Sequence, residues 1–362
     1  MAQIAIKSRI YLDHAATTPA LPAAIAAMAE AAATIGNPSS VHSGGRTANA
    51  IIERARDTIA AWAACKPDQL IFTSGGTEAL ALALNTQLRI LASATEHSAV
   101  LAARPDAALI PVDSNGVLDL TALAEALKAG PALIAVQHAN NETGVIQPIA
   151  EIAALVTAAN SLLLVDAVQS ATKLPLPQAD YIALSAHKLG GTPGTGALIA
   201  RDPTTITAVQ RGGGQERGLR GGTPNLPGIA AFAAAIAQTP DWSHTETLRN
   251  HLESRLATRI NGACAPLIVG ASTPRLPNIT NLALPGIASG TQVMALDLAG
   301  IMVSAGAACS SGKVATSHVL TAMGHPSDAI RISLGPTTTA AEVEAFITGW
   351  QTMAARLTRH PA

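Results

Sequence analysis

Residues 180–198 read DYIALSAHKLGGTPGTGAL. An apolar run of strand length ends in Ser185, His187 and Lys188, the chain turns through glycines, and a second apolar run begins. Short apolar segments bounded by turn residues read as buried strands. The polar triplet therefore stands at the carboxyl end of a strand. Only 13% of the residues are charged, so a lysine at the mouth of a buried strand asks for a reason. Desolvation lowers the pKa of an amine and makes it a nucleophile. The plainer reading is a solvated loop residue.

Working outward, the same arrangement recurs. The segments LIF (70–72), RILAS (89–93), ALIPV (108–112), ALIAVQ (132–137), LLLVDAV (162–168), DYIAL (180–184) and GALIA (196–200) alternate with helical patterns over 21–34, 44–63, 77–88, 119–129 and 148–159. This alternation predicts a doubly wound, mostly parallel α/β sheet with helices on both faces. Beyond a glycine-rich stretch at 212–228, a more charged helical segment near 242–260 leads into NITNLAL, IMVSAG and IRISLG as strands, with a closing helix from residue 340. The prediction is a large α/β domain over 13–245 and a smaller α+β domain made of 1–12 and 246–362.

Composition narrows the function. With 362 residues, 48% of them hydrophobic, the chain can bury an enzyme-sized core, and its net charge of −1 without a Lys/Arg cluster leaves no footprint for nucleic acid or an anionic membrane. Its apolar runs fall short of the roughly 18 residues a membrane span needs. The N-terminus does not read as a signal peptide, so a cytoplasmic location is expected. Cys65, Cys264 and Cys309 are odd in number and far apart, which argues against a disulfide framework or a zinc site and leaves reactive-thiol chemistry for any special cysteine.

Polar clusters follow five of the strands: TSGGTE (73–78), TEHSAV (95–100), HANNETG (138–144), DAVQSA (166–171) and SAHKLGG (185–191). Open α/β sheets bind ligands at the carboxyl ends of their strands, so the clusters are expected in one crevice. Gly75, Gly76 and Thr77 would aim helix N–H groups at a phosphate. Asp166, ending four aliphatics, needs a cation, and a protonated ring nitrogen would serve. With Lys188 as Schiff-base amine, these are the parts pyridoxal 5'-phosphate requires. A glycine turn, a helix cap and a loop lysine would each explain one residue, but not their coincidence. His97 could stack on the ring or move protons, and Gln169 could reach its phenolic oxygen. Ser185 and His187 are candidate phosphate or hydroxyl partners. Asn141 offers an amide near the substrate or simply forms a turn.

The segments YLDHAATTP, GNPSSVHSGGR, FTSGGTEA, TEHSAV, HANNETGVIQPI, VDAVQSATKLP, LSAHKLGG, GGGQERGLRGGT, SAGAACSSGK and IRISLG, in order from residue 11 to about 335, resemble the cysteine desulfurases of the NifS/IscS type in the class V aminotransferase group. The resemblance implies the aspartate aminotransferase-like fold type I of pyridoxal-phosphate-dependent transferases. It implies removal of sulfur from L-cysteine, release of L-alanine, and a persulfide on Cys309. It makes Lys188 the Schiff-base lysine and places His97 on the cofactor ring, Asp166 on the ring nitrogen and Gln169 on the phenolic oxygen. Gly76, Thr77, Ser185 and His187 match phosphate positions, and Thr223 matches a residue reaching the phosphate of the neighbouring subunit, which implies a homodimer with shared sites. Asn141 and Arg331 match the residues that hold the substrate carboxylate. Cys309 would sit on a mobile loop at about 304–316 and hand sulfur to an iron–sulfur scaffold or another acceptor, such as a tRNA-thiolation relay. Gly194 and Pro224 depart from the family pattern, where a lysine and an acidic residue are common. Competing readings are a selenocysteine lyase, a class V aminotransferase in which Cys309 is incidental, and a non-catalytic partner-binding protein on the same fold.

Overall fold

Every residue of the strand Ala132–Gln137 is buried, which a strand achieves only when both faces of its sheet are covered. The computed structural model describes residues 9–257, 266–306, 316–326 and 328–359. Its strands are β1 (Ile10–Tyr11), β2 (Leu70–Thr73), β3 (Arg89–Ser93), β4 (Ala108–Ile110), β5 (Ala132–Gln137), β6 (Leu162–Asp166), β7 (Tyr181–Ser185), β8 (Gly196–Ala200), β9 (Leu267–Ile268), β10 (Ile279–Ala283), β11 (Ile301–Met302), β12 (Ser304–Ala305) and β13 (Ala329–Ser333). The α-helices are α1 (Pro22–Ala32), α2 (Ser43–Trp62), α3 (Gly76–Ala83), α4 (Ser98–Ala103), α5 (Leu120–Leu127), α6 (Ile149–Ala158), α7 (Leu226–Ile236), α8 (Ser243–Leu256), α9 (Ser289–Leu298), α10 (His318–Ala322) and α11 (Ala340–Arg359).

Seven strands form the main sheet in the order β2-β8-β7-β6-β5-β3-β4. Only β8 runs against the rest, pairing antiparallel with β2 and β7, while β3, β4, β5, β6 and β7 pair in parallel. The carboxyl ends of β2, β3, β5, β6 and β7 therefore share one edge. Alternation along the strands divides the core: Phe72, Ile134, Val136 and Val165 pack on one face, and Ile71, Leu133, Ala135 and Leu164 on the other. The period of two is the pleat itself. At about 1.5–3 kcal/mol per buried large aliphatic side chain, these layers dominate the folding of this sheet.

The remaining strands build a four-stranded antiparallel sheet, β12-β13-β10-β9, beside the parallel pair β1-β11. They share a separate core in which Leu12 meets Leu252, Ile330, Phe346 and Trp350. Three elements depart from the sequence expectation. ALIPV stops at Ile110, because Pro111 has no N–H for the ladder. IMVSAG is not one strand: β11 pairs with β1 and β12 with β13, so the chain passes between two sheets at Val303. Helix α3 also ends earlier than predicted, at Ala83.

Candidate active site

All five polar clusters meet. They line one cavity of about 780 Å3 at the carboxyl edge of the main sheet, within the size range of ligand pockets. Two segments the strand-end rule did not supply join them: Asp13, Ala15 and Ala16 from the N-terminal loop, and Ser304 with Arg331 from the second sheet.

At one end, β2 passes through Ser74 and Gly75 into α3, and no side chain caps that helix. A Cβ on Gly76 would stand 2.7 Å from Val168 Cγ2, so only glycine lets the helix start this close to the turn after β6. Gly75, Gly76 and Thr77 face the cavity together with Ser185 and His187. N–H groups of a first helical turn with two hydroxyls are a phosphate's natural donors. His187 Nδ1 lies 3.1 Å from Thr17 Oγ1; burial, then Lys188, lowers its pKa to about 4, so it is neutral at pH 7.

Lys188 closes a short 3-10 turn after β7. Its Nζ donates to the carbonyls of Ala15 and Ala16 at 2.7 and 2.8 Å. Gln169 Nε2 also donates to Ala15, at 2.8 Å. Asp166, the last residue of β6, is buried, and its Oδ1 accepts from Val168 N at 2.9 Å. Burial raises its carboxyl pKa, against the Val168 N–H, His97 and Lys188. A cationic ring nitrogen would complete that charge.

His97 caps α4, its Nδ1 accepting from Ala99 N at 3.1 Å; the neutral ring then carries its proton on Nε2. Arg331, from the middle of β13, is buried. Its Nη2 donates to Asp13 Oδ1 at 2.7 Å and its Nη1 to the carbonyl of Asn141 at 3.1 Å. Its Nε has no hydrogen-bond partner among the described residues. A buried guanidinium with donor capacity left over, facing a cavity, suits a carboxylate.

Of the predicted site residues, Gly76, Thr77, His97, Asn141, Asp166, Gln169, Ser185, His187, Lys188 and Arg331 line this cavity. Thr223 does not; it borders a smaller neighbouring cavity with Arg220 and Gly222. Cys309 and residues 307–315 lie outside the described residues, as does Cys264. Sequence reasoning missed Asp13, the partner of Arg331, although its motif was noted: a lone carboxylate after an apolar pair carried the signal of a cation elsewhere. It also missed Glu96. This buried carboxyl accepts from Gln137 N at 2.7 Å through Oε1, while Oε2 has no partner among the described residues. Burial first, then Asp166, pushes it well above the usual carboxylate range, against the hydrogen bond from Gln137 N, and it stands next to His97 in the chain.

A family model described as aminotransferase class-V matches residues 10–346. The chain belongs to the aminotransferase class-V family. Among its relatives, it is 39% identical to a cysteine desulfurase of Cereibacter sphaeroides over 94% of each chain. It is 37% identical to an IscS-like cysteine desulfurase of Mycobacterium tuberculosis, over 93% of this chain and 94% of that one. A solved NifS-like protein from Rickettsia africae superposes with a TM-score of 0.87 at 33% identity, covering 95% of this chain and 99% of the other. The class-V fold, a pyridoxal-phosphate-dependent fold of type I, is thus the one the sequence resemblance implied. The cradle at Gly76, the buried Asp166 and the spare donor of Arg331 fit that cofactor and an amino-acid substrate. Among the described residues no helix is long and apolar enough to cross a membrane, and no cluster of metal ligands occurs.

Proposed function

We propose that this class-V chain is a cysteine desulfurase that takes sulfur from L-cysteine, releases L-alanine and holds the sulfur as a persulfide on Cys309. The observation that carries this reading is the meeting of Lys188, Asp166, the start of α3 and Arg331 in one cavity. When bound, pyridoxal phosphate supplies an electron sink for the substrate's α-carbon. Gly76, Thr77, Ser185 and His187 would hold its phosphate, Asp166 the proton on its ring nitrogen, Gln169 its phenolic oxygen, and His97 its ring face.

The chain's own groups supply the remaining chemistry. Arg331 and Asn141 orient the substrate carboxylate, and Asp13 keeps the guanidinium aimed. The Lys188 amine moves the α-proton, and Nε2 of His97 serves as a second proton site. The Cys309 thiolate attacks the substrate sulfur; the new S–S bond forms as the carbon–sulfur bond breaks.

Placement of Thr223 away from its own chain's cavity supports a homodimer in which it serves the neighbouring site. The separate core around Leu12 and Trp350 supports domains at 13–245 and at 1–12 plus 246–362. The half-buried free thiol of Cys65 suits a reducing cytoplasm. The acceptor would be an iron–sulfur scaffold or another sulfur-relay protein. In the test, Cys309→Ala should retain the visible cofactor band yet form neither alanine nor persulfide from L-cysteine. Wild-type alanine release by that variant overturns the reading, and keto-acid production would point to transamination instead.

A further inference from the structure

The chain enters and leaves its cysteine segment at two points, both tied to turns that carry site residues. β12, whose Ser304 is in register with Arg331, runs into Gly306, where any Cβ would collide with Glu142 Oε2. On the return, Ser317 Oγ donates to the same Glu142 Oε2 at 2.6 Å while capping α10 by accepting from Leu320 N at 3.1 Å. One residue further, His318 Nε2 donates to the carbonyl of Glu96 at 2.8 Å. Glu142 follows Asn141, and Glu96 precedes His97.

Glu142 is itself buried. Burial raises its carboxyl, and the Ser317 hydroxyl, His318, Arg331 and His97 act in the opposite direction. Nothing in the proposed chemistry uses it, yet a buried acid is retained only with work to do or partners to satisfy it. A hydrogen bond at Ser317 and close packing at Gly306 on the same carboxylate oxygen fix where the chain between them starts and ends.

We propose that Glu142 is a positioning residue for sulfur transfer: its Oε2 accepts from Ser317 and packs against Gly306, so the segment bearing Cys309 starts and ends against the turn that presents Asn141. This rests on the reading of Cys309 as sulfur acceptor.

The test uses the cofactor-loaded protein and follows alanine release together with the cysteine concentration that half-shifts the visible band. Glu142→Ala is expected to lower kcat about tenfold or more, the scale of one lost charge-assisted hydrogen bond. The half-shift concentration should stay within about twofold of wild type. Glu142→Gln, which keeps an oxygen for Ser317, should recover most of kcat. Adding Glu142→Ala to Cys309→Ala should cost nothing more.

An unchanged kcat in Glu142→Ala, or a fall in cysteine binding matching the fall in kcat, overturns the inference. Should that variant not fold, Ser317→Ala and Gly306→Ala decide: the same split supports it, and wild-type turnover in both overturns it. A dead Cys309→Ala beside a normal Glu142→Ala sinks this inference alone, whereas an active Cys309→Ala sinks the desulfurase reading itself.

Discussion

Lys188 and Gln169 donate to the same oxygen, the carbonyl of Ala15, at 2.7 and 2.8 Å. One carbonyl of the N-terminal loop thereby sets the height of both the amine and the amide over the cavity floor. The loop is held in turn by Ala15 N, which donates to Ser333 Oγ at 2.9 Å. The position of the Lys188 amine is thus coupled to the second sheet.

A second amine tests the assignment of Lys188. Lys173 donates to the carbonyl of Gln169 at 2.9 Å, lies 4.9 Å from the Trp242 ring, and is lowered to about 7 by burial and then by Lys188. Such an amine is nucleophilic near neutral pH. Borohydride reduction followed by denaturation should leave the cofactor attached in wild type and in Lys173→Ala, and not in Lys188→Ala. Label retained on Lys188→Ala would move the covalent role to another amine.

The pair Arg331–Asp13 is buried on the arginine side and 2.7 Å long. Asp13→Asn keeps the shape and removes the charge that orients the guanidinium. We expect KM for L-cysteine to rise about tenfold with kcat nearly unchanged, the pattern of lost ground-state binding. A fall in kcat at constant KM would assign Asp13 to the chemical step instead.

His138 provides a pH signature. It is buried, its Nδ1 lies 2.9 Å from Ser170 Oγ, and burial lowers it from 6.5 to about 4. Between those values the unfolded chain binds more protons than the folded one, so this histidine's contribution to stability falls as the pH drops from 6.5 toward 4. The loss is of order 2 kcal/mol after allowing for partial screening. His138→Asn should therefore melt at a progressively higher temperature than wild type as the pH is lowered through this window. The carboxyls Glu96, Glu142 and Asp166 are common to both proteins and cancel in the difference. A difference independent of pH would mean that His138 is already protonated in the fold.

Arg56 and Glu216 form a buried two-pronged pair at 2.8 and 3.0 Å, and Glu216 also accepts from Phe72 N at 2.9 Å. This pins the glycine-rich 212–218 segment against β2. Glu216→Ala leaves the buried guanidinium with only the half-exposed Glu53, at 3.3 Å, and the carbonyl of Leu70, at 2.7 Å, and should cost about 3 kcal/mol. Chemical denaturation measures it; a loss under about 1 kcal/mol would show that Glu53 and the Leu70 carbonyl suffice for Arg56.

Much of the site was legible because its residues follow strands. Apolar runs of fixed length located β2, β3, β5, β6 and β7, and the strand-end rule then placed Gly76, His97, Asn141, Asp166 and Lys188 at one edge without any knowledge of their contacts. The resemblance of ten motifs added Arg331, which no local pattern ties to that edge. Thr223 was assigned to a neighbouring chain's site, and its place in a separate small cavity could not be read from the glycine-rich loop around it.

What the sequence determined by itself was the alternation of elements and the chemistry at their ends, since both depend on neighbours a few residues apart. What only the tertiary structure decided were the joins between distant segments. Asp13 meets Arg331 across 318 positions, Ala15 receives Lys188 across 173, and Glu142 reaches Ser317 across 175. Each depends on how β1 docks on β11 and how β13 lies against the mouth of the main sheet. Those arrangements are set by burial of a shared core and leave no period or spacing in the chain.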